Sequence, residues 1–178
     1  MNDTIAVFAS ARRNGNTGNF IDWIGSGLGV NIIDLSEKNI SPYDYDHKNL
    51  DDDFISIMNE ILNYEKIIFA TPVYWYAASA QMKIFIDRMS DFLDLDELKD
   101  IGRRLRKKTG YIVCTSASSE ADSAFLGAFK STFEYLGMNY GGHIHADCEN
   151  GYIPDEYMED VTQFLKLVKF SDCLSEKK

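Results

Sequence analysis

The sequence predicts an α/β fold: a parallel sheet with helices packed on both faces. Short apolar runs rich in β-branched residues alternate along the chain with segments whose apolar residues recur at the helical period. Five such alternations occur, and parallel strands need a crossover that is nearly always a right-handed helix. Composition does not break anywhere along the 178 residues, of which 45% are hydrophobic, so residues 1–178 read as a single domain with one substantial core.

Thr4 to Ala9 reads as the first buried strand, ending abruptly at a polar run. A helix opens near Asn16 or Thr17, because Phe20, Ile21, Trp23, Ile24 and Leu28 then share a face. Val30 to Leu35 is the second strand. The next helix carries Phe54, Ile57, Met58 and Ile61, and Asp51, Asp52 and Asp53 before it suit a helix N-terminus. Ile67 to Ala70 is the third strand, followed by an aromatic loop and a helix facing inward through Met82, Phe85, Ile86 and Met89. Tyr111 to Thr115 is the fourth strand. Phe125, Leu126, Phe129, Phe133 and Leu136 mark a helix that Gly137 is placed to cap. Tyr140 to Ala146 completes the sheet, and Met158 to Val168 forms the last helix.

A formal charge of −10 and a pI of about 4.7 argue against nucleic acid and against an anionic membrane, either of which would repel the chain. Small molecules or proteins are the expected partners. The start, Met1-Asn2-Asp3-Thr4, has no basic n-region, and no segment approaches the roughly 20 apolar residues of a membrane span. Cys114, Cys148 and Cys173 are scattered, with no CxxC, which suggests neither a disulfide framework nor a thiol-rich metal site. A cytoplasmic location follows by default.

In a parallel sheet the ligand sits beyond the carboxyl ends of the strands. Three loops meet that condition. The first, from Ser10 to Thr17, offers Ser10, Arg12, Asn14, Gly15, Asn16 and Thr17 at a helix N-terminus, where free N–H groups favour a phosphate. Local physics equally fits an ordinary polar turn capping the helix. The second, Thr71-Pro72-Val73-Tyr74-Trp75-Tyr76, puts three consecutive aromatics at the ligand edge; they cannot all face inward, although packing beneath a surface loop is the alternative. The third, from Thr115 and Ser116 to Ser119, is small and hydroxylated, and by itself also fits a solvated linker.

The segment from Ser10 to Thr17 resembles a phosphate loop of pattern SxRxxGNT. Thr71 to Trp75, followed by Ser79 to Arg88, resembles the TPVYW…SAxMKxFIDR block of the flavodoxin-like NAD(P)H-dependent FMN reductase family. The resemblance implies a five-stranded parallel sheet of order 2-1-3-4-5 and a noncovalently held FMN. It implies that Ser10, Arg12, Asn16 and Thr17 surround the phosphate, with the rest of that loop beside it. Pro72, Val73, Tyr74 and Trp75 then border the ring, with backbone N–H groups of this turn bonding it, and Thr115 and Ser116 lie near its pyrimidine or ribityl side. The implied activity carries hydride from NAD(P)H through FMN to a small acceptor such as a quinone, an azo or nitro compound, or free flavin. No catalytic side chain is needed beyond the flavin. The alternative is a flavodoxin-type electron carrier docking to redox proteins. A homodimer is expected, its interface including Tyr74 to Tyr76 and part of the Ser79 to Arg88 helix. The segment from Ser41 to Asn49 has no cysteine, which excludes there the iron–sulfur cluster found elsewhere in the superfamily.

Four further features invite other readings. Gly25 to Gly29 is Gly-rich but reads as a helix end. His143, His145 and Cys148 lack a fourth ligand, so no metal site is expected. The basic run from Arg103 to Lys108 reads as a solvated loop at the opposite edge of the sheet, and Arg13 as a solvent-facing neighbour of Arg12 that an alanine could replace at little cost.

Overall fold

The computed structural model describes residues 3–170; Met1, Asn2 and Cys173 lie outside them. Strands β1 (Thr4–Phe8), β2 (Ile32–Asp34), β3 (Lys66–Tyr74), β5 (Thr109–Ser116) and β6 (Asn139–Asp147) pair in parallel in the order β2-β1-β3-β5-β6. A two-residue strand, β4 (Ala77–Ala78), pairs antiparallel with the end of β3. With β4 set aside, the order is the expected 2-1-3-4-5. Helices α1 (Asn16–Leu28) and α7 (Met158–Phe170) cover one face. On the other lie α2 (Phe54–Ile61), α3 (Ala80–Asp87) and α6 (Ser123–Leu136). Two short helices not anticipated from the sequence, α4 (Asp91–Asp94) and α5 (Lys99–Arg103), fill the connection from α3 to β5. With four or five residues each, they are too short to show a helical period.

Alternation along the strands divides the interior into two cores. Ile5, Val7, Ile67, Phe69, Ile112 and Cys114 face α2, α3 and α6; Ala6, Phe8, Ile68, Ala70, Tyr111 and Val113 face α1 and α7. Both faces are buried, which is why these strands read as continuous apolar runs. Gly29 and Gly137 end their helices in the left-handed conformation, at φ 67° and 74°. The Gly25 to Gly29 run therefore closes a helix, as expected.

Arg88 is the largest wholly buried side chain. Its Nε donates to Asp91 at 2.7 Å and its Nη1 to Asp52, while Ser41 and Asn49 carbonyls accept from the guanidinium at 3.2 and 3.3 Å. The Phe54 ring lies 4.8 Å beneath it. His47 Nδ1 reaches the other oxygen of Asp91 at 3.0 Å. One cation thus pins the irregular stretch between β2 and α2 onto the end of α3. The Asp51 to Asp53 run is accordingly more than a helix opening. Asp52 takes the Phe54 N–H at 2.9 Å and also pairs with Arg88, while Asp53 accepts from the Asn39 N–H at 2.8 Å.

The basic run before β5 is likewise not a solvated loop throughout. Leu105 and Lys108 are buried, Lys108 Nζ donates to the Tyr64 carbonyl at 2.6 Å, and Arg104 donates to the Leu62 carbonyl at 3.3 Å. Arg104 meets the carbonyl of the α2 C-cap residue and Lys108 one in the turn that follows, which ties the end of α2 to the start of β5.

β3 runs past Thr71 and turns back on itself as a hairpin. What reads in sequence as an aromatic loop is its tip. Val73 pairs with Ala78 and Tyr74 with Ala77, leaving Trp75 and Tyr76 as a two-residue turn at φ 50° and 64°. Positive φ at both positions is the signature of a type I′ turn, which favours Asn-Gly.

Three outcomes follow for stability. Arg88→Ala strands buried carboxylates and should destabilise the fold by about 3–5 kcal/mol in urea unfolding. Arg103→Ala, which breaks an exposed pair with Asp100, should leave the midpoint almost unchanged. Replacing Trp75-Tyr76 by Asn-Gly should raise stability by about 1–3 kcal/mol, because two bulky residues leave a backbone region that costs them free energy. A thermal midpoint that falls in this double variant would show that the aromatics stabilise the hairpin.

Candidate functional site

The first loop joins the end of β1 to α1. Gly15 is the N-cap of α1 and supplies no side-chain hydrogen bond, so no side chain caps the first-turn N–H groups. Around this helix end stand the hydroxyls of Ser10 and Thr17, both buried, and the amide of half-buried Asn16, with Asn14 exposed beside them. Ser10 Oγ accepts from the Arg12 N–H at 3.5 Å, a long contact that holds the loop only loosely. The Arg12 side chain is exposed and forms no ion pair among the described residues. Helix end, hydroxyls and a free guanidinium make a donor set matched to a phosphate.

Arg13 is not the solvent-facing neighbour that the sequence suggests. It donates to both oxygens of Asp22, at 2.5 and 3.1 Å, its Nε lies 3.4 Å from Asp34, and its guanidinium stacks 5.1 Å over Phe8. Two adjacent arginines have therefore separated: Arg13 braces the loop against α1 and β2, and Arg12 stays available. Gly18 completes this bend. A Cβ there would sit 1.7 Å from the Arg13 carbonyl oxygen, so only glycine lets the loop close so tightly on the helix.

The second loop leaves β3 through Thr71 and Pro72, both buried. Pro72 pairs with Thr115 on β5, but β1 pairs no further along β3 than Ala70, so its missing N–H removes no bond on that side. Ser79, after the hairpin, is buried and donates to the Ala9 carbonyl at 3.0 Å, while its own N–H donates to Thr71 Oγ1 at 3.0 Å. Its Oγ also accepts from the Met82 N–H at 3.4 Å, capping α3. The hairpin is thus fixed at its base to the end of β1 and free at its tip. Val73 is half-buried, whereas Tyr74, Trp75 and Tyr76 are 47, 93 and 68% exposed.

The third loop begins at Thr115 and Ser116, whose side chains point to opposite faces of β5. Thr115 is buried and its Oγ1 lies 2.6 Å from Thr17 Oγ1, joining the third loop to the first. Ser116 faces the other way, into a cleft of about 540 Å³ walled by Val73, Trp75, Tyr76 and the segment from Ser116 to Ser123. That volume lies within the usual range for small-molecule sites. Two neighbouring residues expected at one side of a ligand thus divide between the helix end and the cleft.

Ser116 Oγ also lies 2.7 Å from His145 Nε2 and accepts from the Ser118 N–H at 3.2 Å. Burial lowers the His145 pKa below its ordinary value, opposed by the charge of Asp147. Burial raises the Cys114 thiol to about 12, and burial with the Asp147 charge raises Cys148 to about 11, so both stay protonated at neutral pH. His143 bonds to Tyr140 Oη at 2.8 Å, and no group of three metal-ligating side chains occurs among the described residues.

Sequence reasoning gave Gly18 and His145 no part in this site and named Thr71 and Ser79 only within the loop and the matched block, without the bonds they make. Ser79 was visible as a helix-capping serine, and Gly18 as a glycine in a first helical turn. His145 had no local signal, because its partner lies 29 residues away on a neighbouring strand.

A family model described as NADPH-dependent FMN reductase matches residues 3–148. YwqN of Bacillus subtilis (strain 168), named as an NAD(P)H-dependent FMN-containing oxidoreductase, is 28% identical over 182 residues, covering 96% of this chain and 99% of its own. The structure of a Trp repressor binding protein from Bacillus subtilis superposes with a TM-score of 0.70 at 24% identity, over 93% of this chain and 97% of that one. An FMN-dependent NADH-azoreductase from Bacillus anthracis, in complex with FMN, gives 0.63 at 11% identity, over 92% and 95%. On this flavodoxin-like fold, and with the family match extending over most of its length, the chain belongs to the NADPH-dependent FMN reductases, NAD(P)H-dependent oxidoreductases that use FMN.

Proposed function

We propose that the whole chain acts as one FMN-binding domain that places the FMN phosphate at the start of α1 and the ring in the cleft beside Trp75, in order to reduce small ring-shaped acceptors. The observation that carries this reading is the Thr17 to Thr115 contact, which sets a phosphate-matched helix end directly beside an aromatic-walled cleft. Arg12, Ser10, Asn14, Asn16 and Thr17, with the backbone around Gly15, would hold the phosphate. Pro72, Val73, Tyr74 and Trp75 would border the ring, Ser116 would meet its polar side from within the cleft, and Thr115 would act at the helix end through Thr17.

Bound FMN would supply the electron transfer, accepting two electrons from NAD(P)H and giving them to the acceptor. The chain's own residues position and exclude. The Arg13 brace holds the helix end open, Ser79 holds the base of the hairpin, and Trp75 presents a flat apolar surface against which one ring after another can stack. Quinones, azo and nitro compounds and free flavin all suit such a wall. The exposed tip from Tyr74 to Tyr76 also supports a homodimer, since exposed aromatics adjoining a ligand edge gain from cover. From the following helix Arg88 cannot contribute to that interface, because it is wholly buried. No helix among the described residues is long and apolar enough to cross a membrane, and we place the protein in the cytoplasm.

Removing the Arg12 guanidinium should cost FMN binding about 1–2 kcal/mol, in the lower part of the range for charged hydrogen bonds because the group is exposed. Arg12→Ala should therefore weaken FMN about five- to thirtyfold and riboflavin hardly at all, as read by fluorescence titration. Equal losses for both ligands would move the phosphate away from α1. Stopped-flow mixing of the FMN-loaded protein with NADH or NADPH should bleach the flavin promptly. Reduction only by a protein donor would instead identify an electron carrier.

A further inference from the structure

We propose that His145 is a positioning residue that sets the direction of the Ser116 hydroxyl, and thereby decides whether the cleft meets a hydrogen-bond donor or an acceptor there. The inference rests on the reading that the flavin ring occupies this cleft.

A serine hydroxyl has one proton and two lone pairs. At Ser116 one lone pair is taken by the Ser118 N–H, at 3.2 Å. The other lone pair and the proton are shared between His145 Nε2, at 2.7 Å, and the cleft. In the neutral ring with its proton on Nδ1, the tautomer on which the inference depends, Nε2 accepts the hydroxyl proton, and Ser116 offers the cleft only a lone pair. When His145 is protonated, Nε2 must donate, the second lone pair is filled, and the hydroxyl proton turns to the cleft. The imidazole thus controls the polarity of a contact that it does not itself make.

The pair also lies between two cavities. Ser116 lines the cleft by Trp75, and His145 lines a second cavity of about 470 Å³ between β6 and α7, open to solvent, together with His143 and Asp160. The charged and titratable groups around His145 are Asp147 and His143 on its own strand and Asp160 on α7. Cys114 is opposite on β5, protonated throughout, and on α6 Lys130 acts on the neighbouring His143. Burial and, to a smaller degree, His143 oppose the charged imidazole and Asp147 favours it; the balance lowers the His145 pKa, so the ring is neutral at neutral pH and charges only as the pH falls below its ordinary range. The polar edge of an isoalloxazine carries mostly acceptor atoms, so a donor at Ser116 should strengthen binding. Binding should therefore rise as pH falls through the His145 titration. By linkage, the bound flavin should raise the pKa of His145 by the same factor.

The test is FMN titration of wild type, His145→Asn, Ser116→Ala and His143→Asn between pH 5 and 8, with histidine-ring NMR of each protein free and FMN-bound. Relative to His145→Asn, wild type should gain about three- to tenfold in affinity as the imidazole becomes charged at the acid end of this range, the worth of one neutral hydrogen bond. Its His145 midpoint should rise correspondingly on binding. Ser116→Ala should lose both effects while still binding FMN, and His143→Asn should keep them. Persistence of the pH dependence in Ser116→Ala would show that the imidazole charge acts directly and would overturn the inference, as would an unmoved His145 midpoint. Wild type that binds no FMN at any pH would remove the flavin reading itself, a result distinct from binding with no difference among the variants.

Discussion

Parallel pairing is the constraint from which the rest of this structure follows. Because β1 lies between β2 and β3, the chain winds outward in one direction after β1 and in the other after β3. The two connections leave the sheet toward opposite faces and open a crevice at the carboxyl ends. Helix α1 starts on one side of that crevice and the hairpin of β3 rises on the other. Every residue implicated in ligand binding lies on a segment that leaves this edge. Chemistry enters only through what those segments carry.

Two hydrogen bonds convert neighbouring loops into one site. Thr17 meets Thr115 across the end of β3, and Ser79 reaches back to the Ala9 carbonyl. Both involve buried hydroxyls, which would lose free energy if left unpaired, so the loops hold one another in register. The hairpin tip has no such restraint. Trp75 and Tyr76 occupy left-handed backbone positions that suit glycine and asparagine better. Aromatics kept at an energetic cost in an exposed turn fit the proposed role of this tip as a surface that meets other molecules.

Electrostatics sort the arginines by burial. Arg88, enclosed and paired with Asp52 and Asp91, gives shape to an irregular segment that has little apolar surface of its own. Arg13 is held by Asp22 and Asp34 and stiffens the first loop. Arg12 alone of the three lies free at a helix N-terminus, in a chain of net charge −10. A local positive site on such an acidic protein would recruit the proposed phosphate by position, not by overall charge.

The sequence by itself determined the alternating strands, the helices that cover the sheet and the three loops at the carboxyl ends of the strands, because each depends on local period, while the strand order came through the resemblance carried by two contiguous motifs. The sequence also carried the left-handed cap at Gly137. Tertiary structure alone decided which of two adjacent arginines stays free, since Asp34 reaches Arg13 from another strand. It decided that Asp52 pairs with Arg88, 36 residues away, and that Lys108 is buried against Tyr64. It also turned Thr115 and Ser116 to different tasks and gave Ser116 its imidazole partner. Each of these contacts joins residues far apart in the chain. Side-chain hydrogen bonding at that separation leaves no periodic trace in sequence, because only the packing of the sheet fixes which groups come within 3 Å.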